Sequence, residues 1–203
     1  VEMAPDTSYL TDEERQVVNL LIEASGYMDE IYLRQRGGDL PTMREEIEAS
    51  GDAEMLDMFD RNFGPWDAVD DNHPFYGENA WPEGAGFYPA DLTREEFDAF
   101  LEANPDQRDA LMNPYSVVKR DGEGGFVAVP YSEEYAEFLQ PAAQLLREAS
   151  EITTNPSLKR FLSLRADSFL SDDYFESEMA WMDLTDTPIE VAIGPYEVYT
   201  DRL

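Results

Sequence analysis

The residues best suited to chemistry lie close to the end of the chain, in the sequence GPYEVYTD that runs from Gly194 to Asp201. There a carboxylate, Glu197, stands between two phenols, Tyr196 and Tyr199. A carboxylate can bind the ammonium group of a peptide through a charge-assisted hydrogen bond, and a phenol can donate to a peptide carbonyl or to a developing oxyanion. The same spacing is typical of an edge strand with a solvated glutamate, and spacing alone favours that second interpretation.

The segment before these side chains would have to position them. From residue 189 to residue 193 every second residue is β-branched, which predicts a half-buried C-terminal strand. Gly194 and Pro195 break this strand. If it continues past Pro195, Glu197 and Tyr199 have the same parity, and both side chains leave the strand on one face.

The run GPYEVYTD resembles a segment of zinc dipeptidyl peptidases of the dipeptidyl peptidase III type (peptidase family M49), which reads Gly-x-x-Glu-x-Tyr-x-Asp. The matching residues in this chain are Gly194, Glu197, Tyr199 and Asp201. Further stretches resemble bacterial members of that family and keep its order along the chain, namely residues 9–35, 64–75, 82–97 and 155–184. The resemblance implies that Glu197 binds the peptide substrate and that Tyr199 is catalytic, and we expect the adjacent Tyr196 to bind the substrate as well.

The zinc site of that family is the feature that this chain lacks. The resemblance implies a His-Glu-x-x-(x)-His helix and a further glutamate, with one position on the metal left open for water. The chain has one histidine, His73, and no cysteine, so a three-ligand zinc site of His or Cys cannot be assembled from it. We therefore expect no metal ligand and no cofactor in this chain, and a zinc site in a part of the enzyme beyond residue 203. We expect His73 to make hydrogen bonds in its loop.

Two functions are compatible with these patterns. The first is the N-terminal, substrate-cleft lobe of a zinc-dependent dipeptidyl peptidase III-like exopeptidase, with residues 1–203 forming a single lobe that is inactive alone. Its partners would be a peptide substrate with a free N-terminus and the downstream catalytic part of the same polypeptide. The alternative is a free-standing acidic helical binding module without catalysis. A zinc motif in the reading frame past Leu203 would decide for the enzyme.

Composition excludes several classes of protein. Apolar residues make up 42% of the chain, which is typical of globular proteins, and no run of about 18 apolar residues could span a membrane. The formal net charge of −31 argues against a nucleic-acid partner, because phosphate binding needs basic patches. The acidity either attracts cationic ligands or reflects a halophilic or marine source, and its spread along the whole chain favours the source. The absence of cysteine leaves the compartment open, whether cytoplasm or periplasm.

The pattern as a whole predicts an α+β fold that is mostly helical. Thr11 and Glu14 form a capping box for an N-terminal helix of about 25 residues, which ends at Gly37. The aromatic-rich residues 64–92 lack periodicity, and they either bury their own rings against the core or form one wall of a substrate cleft. Residues 115–120 and 126–129 predict one β-hairpin around the sequence DGEGG, which therefore does not precede a helix as a phosphate-binding loop would.

The remaining helices are predicted from their capping residues and apolar faces. We expect them to begin at Thr42 with Glu45 as a capping box, at about Ala53, at Thr93, at Asn104-Pro105, at Ser132, at Asn155-Pro156 and after a break near Ser171. Pro141 should kink or split the helix that begins at Ser132. In the helix after Pro156, one face carries four apolar residues together with Arg165.

Overall fold

The long N-terminal helix begins where its capping box predicts. In the computed structural model, which describes residues 6–196 and residue 203, helix α1 spans Asp12–Gln35. The Thr11 main-chain N–H donates to Glu14 Oε2 (2.7 Å), and the Glu14 N–H donates to Thr11 Oγ1 (3.2 Å). This reciprocal pair satisfies two N–H groups that the first helical turn would otherwise leave unbonded.

The other elements are short, and most of them are helices, so the predicted mostly helical α+β class is confirmed. The helices after α1 are α2 (Leu40–Ser50), α3 (Ala53–Asn62), α4 (Arg94–Ala103), α5 (Arg108–Leu111), α6 (Tyr131–Glu134), α7 (Ala136–Ile152), α8 (Pro156–Ser171) and α9 (Phe175–Met182). The strands are β1 (Trp66–Asp67), β2 (His73–Pro74), β3 (Ser116–Arg120) and β4 (Phe126–Pro130). Among the helices in the described part of the chain, none is both long enough and apolar enough to cross a membrane.

The described residues divide into two compact units. The first unit contains residues 6–28 and 135–194, and the second contains residues 29–134, 195, 196 and 203. In the first unit α7 packs against α8, and α8 packs against α9. Helix α8 begins at the predicted Asn155 cap, whose Oδ1 accepts from the N–H groups of Ser157 (3.0 Å) and Leu158 (2.9 Å). The core of this unit includes Leu139, Leu146, Phe161, Leu162 and Phe169.

The second unit has two hydrophobic clusters. One joins α4, α5 and the β3–β4 hairpin through Leu92, Phe97, Leu101, Leu111, Val118 and Phe126. The other joins the end of α1 to α2, α3 and β1 through Leu33, Leu40, Ile47, Phe59 and Trp66. Strands β3 and β4 pair antiparallel with Val118 opposite Ala128, as the predicted hairpin requires.

Three predicted helix features are wrong, and each has a local cause. Asp39 rather than Thr42 caps α2, because its carboxylate accepts from the Thr42 N–H (3.4 Å) and Pro41 suits the first turn. Asn104 ends α4 by donating its N–H to the Phe100 carbonyl, so α5 begins only at Arg108.

The third wrong prediction concerns Pro141. The break falls at Tyr135, between α6 and α7, and Ser132 lies inside α6. Helix α7 continues through Pro141, so the predicted split there is wrong, whereas a kink at Pro141 stays a prediction.

The predicted C-terminal strand is wrong for the residues that are described. Residues 183–196 contain no strand, although Ile189 and Ile193 are buried and Glu190 and Ala192 are exposed. The sequence pattern therefore gave the correct alternation of burial. Alternation reports which side chains face the core, whereas a strand also needs a neighbouring strand to complete its hydrogen bonds.

The loop of the β3–β4 hairpin should respond to acid. Asp121 accepts from the N–H groups of Glu123 (2.8 Å) and Gly125 (2.9 Å), and these bonds hold the pKa of Asp121 below its ordinary value. Because the pKa is lower in the folded than in the unfolded chain, the carboxylate stabilises the hairpin at neutral pH, and this contribution is lost as the pH falls through the folded-state pKa. We expect an NMR titration to place the Asp121 pKa below that of unfolded aspartate. A value at or above it would contradict these two hydrogen bonds.

Candidate functional site

The structure describes the beginning of the site predicted from the sequence. Tyr196 is described, whereas Glu197 and Tyr199 lie outside the described residues. Their roles in binding and catalysis therefore stay predictions. The contacts that fix the main chain just before them, at Ile193 and at Pro195, are described.

In the first unit, Arg165 of α8 holds the carbonyl of Ile193. The Arg165 side chain is 2% exposed, and its Nη1 donates to the Ile193 carbonyl oxygen at 3.1 Å. Its Nη2 donates to Glu178 Oε1 at 2.6 Å, and the guanidinium lies over the rings of Phe161 (5.4 Å) and Tyr174 (5.5 Å). A guanidinium can make all these contacts at once because it is planar and carries several donors. The chain is thus fixed three residues before Tyr196.

In the second unit, Gln35 holds the carbonyl of Pro195. The Gln35 side chain is 1% exposed, and its Nε2 donates to the Pro195 oxygen at 2.6 Å. Its own main-chain carbonyl accepts from the Gly86 N–H at 2.9 Å. Only glycine fits this close to the end of α1, because a side chain at position 86 would overlap the carbonyl of Arg34. The end of α1 therefore positions the main chain two residues before Glu197.

Tyr196 packs against a second tyrosine of the same unit. Its ring meets Tyr115 edge to face, with 5.9 Å between the ring centroids and 83° between the ring planes. Tyr196 is partly buried, and the Tyr115 carbonyl accepts from the Tyr131 N–H at 2.9 Å, just after the β3–β4 hairpin. The ring of Tyr196 therefore has a packing role whether or not it also contacts substrate.

Two tryptophans of the aromatic loop, residues 64–92, pack against Arg36. The guanidinium of Arg36 lies 4.3 Å from the Trp81 ring and 5.6 Å from the Trp66 ring. Trp81 Nε1 donates to the Arg36 carbonyl (2.7 Å), and Trp66 Nε1 donates to the Asn79 carbonyl (2.8 Å). The structure thus supports the interpretation in which this loop buries its own rings. That it also forms a wall of a substrate cleft stays a prediction.

His73 has the environment of a loop residue. It is exposed, it lies opposite Asp67 in the two-residue β1–β2 pair, and its main-chain N–H donates to the Asp70 carbonyl at 2.9 Å. Within residues 6–196 and at 203, no group of three or more His, Cys, Asp or Glu side chains is placed to hold a metal ion. A zinc ion therefore does not fit the described residues.

In the second unit, carboxylates form ion pairs with Arg120 and Arg44. Arg120 pairs with Asp91 (2.8 Å) and Glu96 (3.0 Å), and its hydrogen bond lowers the pKa of Asp91. Arg44 pairs with Asp60 at 2.8 Å. Since 14 basic side chains cannot neutralise 45 acidic ones, the molecule keeps a large negative charge.

The sequence indicated some of these positioning residues and missed others. The periodicity of α8 placed Arg165 on the buried face, which is confirmed, but gave no sign of its bond to Ile193. Gln35 was missed altogether, because a glutamine in the last turn of a helix has no distinctive spacing. Its partner, Pro195, lies 160 residues further along the chain.

The chain is similar to parts of several known proteins. No family model matches the chain. A solved structure of dipeptidyl peptidase III from Caldithrix abyssi is 46% identical and superposes with a TM-score of 0.95, over 100% of this chain and 39% of that one. A solved structure of dipeptidyl-peptidase III from Corallococcus sp. strain EGB is 39% identical with a TM-score of 0.92, over 99% of this chain and 38% of that one. Over nearly its whole length, this chain is therefore similar to part of each of these two dipeptidyl peptidase III structures.

The resemblance to dipeptidyl peptidase III that the sequence predicted is thus confirmed. A further relative is Nudix hydrolase 3 of Arabidopsis thaliana, which is 29% identical in a match that covers 96% of this chain and 32% of that protein. The chain therefore spans about a third of that curated relative and less than half of each solved structure. The activity that each name describes belongs to a much longer polypeptide.

Proposed function

We propose that the dipeptidyl peptidase III-like chain is the peptide-binding lobe of a zinc-dependent exopeptidase that releases dipeptides from free peptide N-termini. The observation that carries the proposal is the match along the whole chain, at 46% identity, to 39% of a dipeptidyl peptidase III structure. Because the described residues offer no zinc site, the metal would be held elsewhere in the longer polypeptide. The contribution of this chain would be to bind and orient the peptide.

Glu197 would select the free N-terminus of the peptide. A carboxylate and an ammonium group form a charge-assisted hydrogen bond, which is stronger than a bond between neutral groups. An acylated N-terminus carries no positive charge and would lose this bond. The net charge of −31 would add a long-range attraction for the ammonium group of the approaching peptide.

Tyr199 would act on the peptide carbonyl. If the segment is extended, Glu197 and Tyr199 lie on the same face, so a peptide whose ammonium group is bound by Glu197 passes near the phenol. The phenol O–H would donate to the carbonyl oxygen, and this bond strengthens as negative charge develops on that oxygen. The hydrogen bond from Gln35 to Pro195 supports this arrangement, because it fixes the main chain next to the site.

The proposal is tested by comparing two polypeptides. One is the 203-residue chain, and the other is the polypeptide encoded by the complete reading frame that contains it, called here the complete polypeptide. We expect the complete polypeptide to bind one zinc ion per molecule and to release dipeptides from a free-amine substrate. We expect the 203-residue chain to bind no stoichiometric zinc at micromolar concentration and to release nothing, because it lacks the ligands.

Zinc content is measured by mass spectrometry of the metal, and dipeptide release by chromatography. A one-to-one zinc site in the 203-residue chain that is lost in His73→Ala would contradict the placement of the metal. A complete polypeptide that binds free-amine peptides but never cleaves them would instead support the alternative function, an acidic binding module without catalysis.

A further inference from the structure

Helix α9 has one buried face and, opposite it, an exposed face of large apolar side chains. Ser177 and Ala180 are buried in the first unit, as is Tyr174 at the N-cap. On the other side Phe175, Met179 and Met182 are 67%, 42% and 72% exposed. Their spacing of i, i+4 and i+7 places them on one helical face, called here the α9 stripe. The described residues bury one side of α9 and leave the α9 stripe exposed on the other, while Glu176 and Glu178 make the helix polar between these two sides.

The edge of the α9 stripe is polar. Arg160 of α8 lies 3.3 Å from Asp183 and 4.0 Å from Glu176, two carboxylates next to the stripe in the sequence. The stripe itself contains no charged residue, in a chain with a net charge of −31. An uncharged apolar centre with a charged edge is the arrangement found at protein–protein interfaces.

We propose that the α9 stripe is the surface on which another part of the same longer polypeptide packs. The inference rests on the proposed function, in which this chain is one lobe of a larger enzyme. The comparison supports this occupant, because the chain accounts for only 39% of the homologous solved structure and so occurs there beside a larger remainder. In that structure the remainder belongs to the same polypeptide as the matched part.

The size and charge of the surface favour a covalently joined occupant over a second copy of the chain. The eight residues of α9 span only about 12 Å at 1.5 Å per residue, and a stable complex of separate proteins buries roughly 1,200–2,000 Å². A small apolar surface is sufficient when the two parts are linked, because the link gives a high effective concentration. Two copies that each carry a charge of −31 would also repel each other.

Oxidation of the two stripe methionines tests the proposal directly. Hydrogen peroxide converts exposed methionine to its sulfoxide, and mass spectrometry of proteolytic fragments gives the rate at each site. We expect Met179 and Met182 to oxidise at least about tenfold more slowly in the complete polypeptide than in the 203-residue chain, because burial restricts access of the oxidant. An added methionine peptide reports the oxidant dose in both samples.

Polar substitution gives a second readout. We expect the double variant Phe175→Gln, Met182→Gln to change the Tm of the 203-residue chain by less than about 1 °C, since both side chains are exposed there. In the complete polypeptide we expect it to lower the Tm by about 3 °C or more, because apolar contacts are lost. Val69→Gln, at an almost fully exposed valine of the second unit, is the matched control and should change neither.

Equal oxidation rates in the two polypeptides would overturn the proposal, as would a reading frame that encodes nothing beyond this chain. Protection of the two methionines from oxidation that rises with the concentration of the 203-residue chain, together with a dimer in sedimentation, would also overturn it. The stripe would then be covered by a second copy of the chain. The oxidation test does not depend on activity. Protected methionines in an inactive polypeptide would uphold this inference and reject the proposed function. Exposed methionines in an active enzyme would reject this inference and uphold the proposed function.

Discussion

Replacing Arg165 by alanine is expected to lower the free energy of unfolding of the 203-residue chain by about 3 kcal/mol. The substitution removes a large, fully buried side chain and leaves space between α8 and α9 that the core cannot refill. It also removes the hydrogen bond to the Ile193 carbonyl and the ion pair to Glu178. Glu178 is half exposed, so its carboxylate can return to water, and most of the loss comes from Arg165 itself.

Urea denaturation measures this change, and Arg147→Ala is the matched control. Arg147 is also an arginine on a helix of the first unit, and it pairs with Asp167 at 2.7 Å, but the Arg147 side chain is 43% exposed and that of Asp167 62%. An exposed pair contributes at most about 1 kcal/mol, so the control should differ little from the wild type. If Arg165→Ala were as stable as Arg147→Ala, the buried guanidinium could not be the element that fixes the segment at Ile193.

The parts of the fold that the sequence predicted well are governed by local interactions. The capping box of Thr11 and Glu14 set the start of α1, and Asn155-Pro156 set the start of α8. The hairpin followed from two β-branched runs around a glycine-rich turn. In each case the residues that decide the structure lie within a few positions of one another, so that their spacing in the sequence carries the information.

The parts that the sequence did not predict depend on distant partners. Gln35 bonds to Pro195 across 160 residues, and Arg165 bonds to Ile193 across 28. Both bonds end on main-chain carbonyls, which every residue has, so no residue type at position 193 or 195 indicates them. The C-terminal strand was predicted wrongly for the same reason. The alternation of apolar residues is a local pattern, whereas the sequence does not show whether a neighbouring strand is present to pair with it.

Glu197→Gln in the complete polypeptide is expected to raise the KM of a free-amine peptide by roughly 10- to 100-fold. The estimate corresponds to the loss of a charged hydrogen bond of about 1.5–3 kcal/mol. Glutamine keeps the shape of the side chain and removes its charge, so the fold should not change. Steady-state kinetics measure the effect, and Glu190→Gln, at an exposed glutamate seven positions earlier, is the control that should leave KM unchanged.

Tyr199→Phe is expected to act on kcat instead of KM. The phenol bond would be strongest when charge develops on the carbonyl oxygen, so its loss should lower kcat by about 10²-fold or more while peptide binding persists. Tyr9→Phe removes an exposed phenol near the start of the chain and should leave kcat unchanged. A Tyr199→Phe variant with wild-type kcat would make Tyr199 a scaffold residue.

The central claim, that this chain supplies the group that recognises a free peptide N-terminus, is tested most directly by one ratio. It is the kcat/KM of the complete polypeptide for a free-amine peptide divided by that for the same peptide with an acetylated N-terminus. We predict that this ratio falls at least about tenfold in Glu197→Gln and stays at the wild-type value in Glu190→Gln, because only Glu197 would pair with the ammonium group. The same ratio in the wild type and in both variants, with every protein folded, would contradict the account.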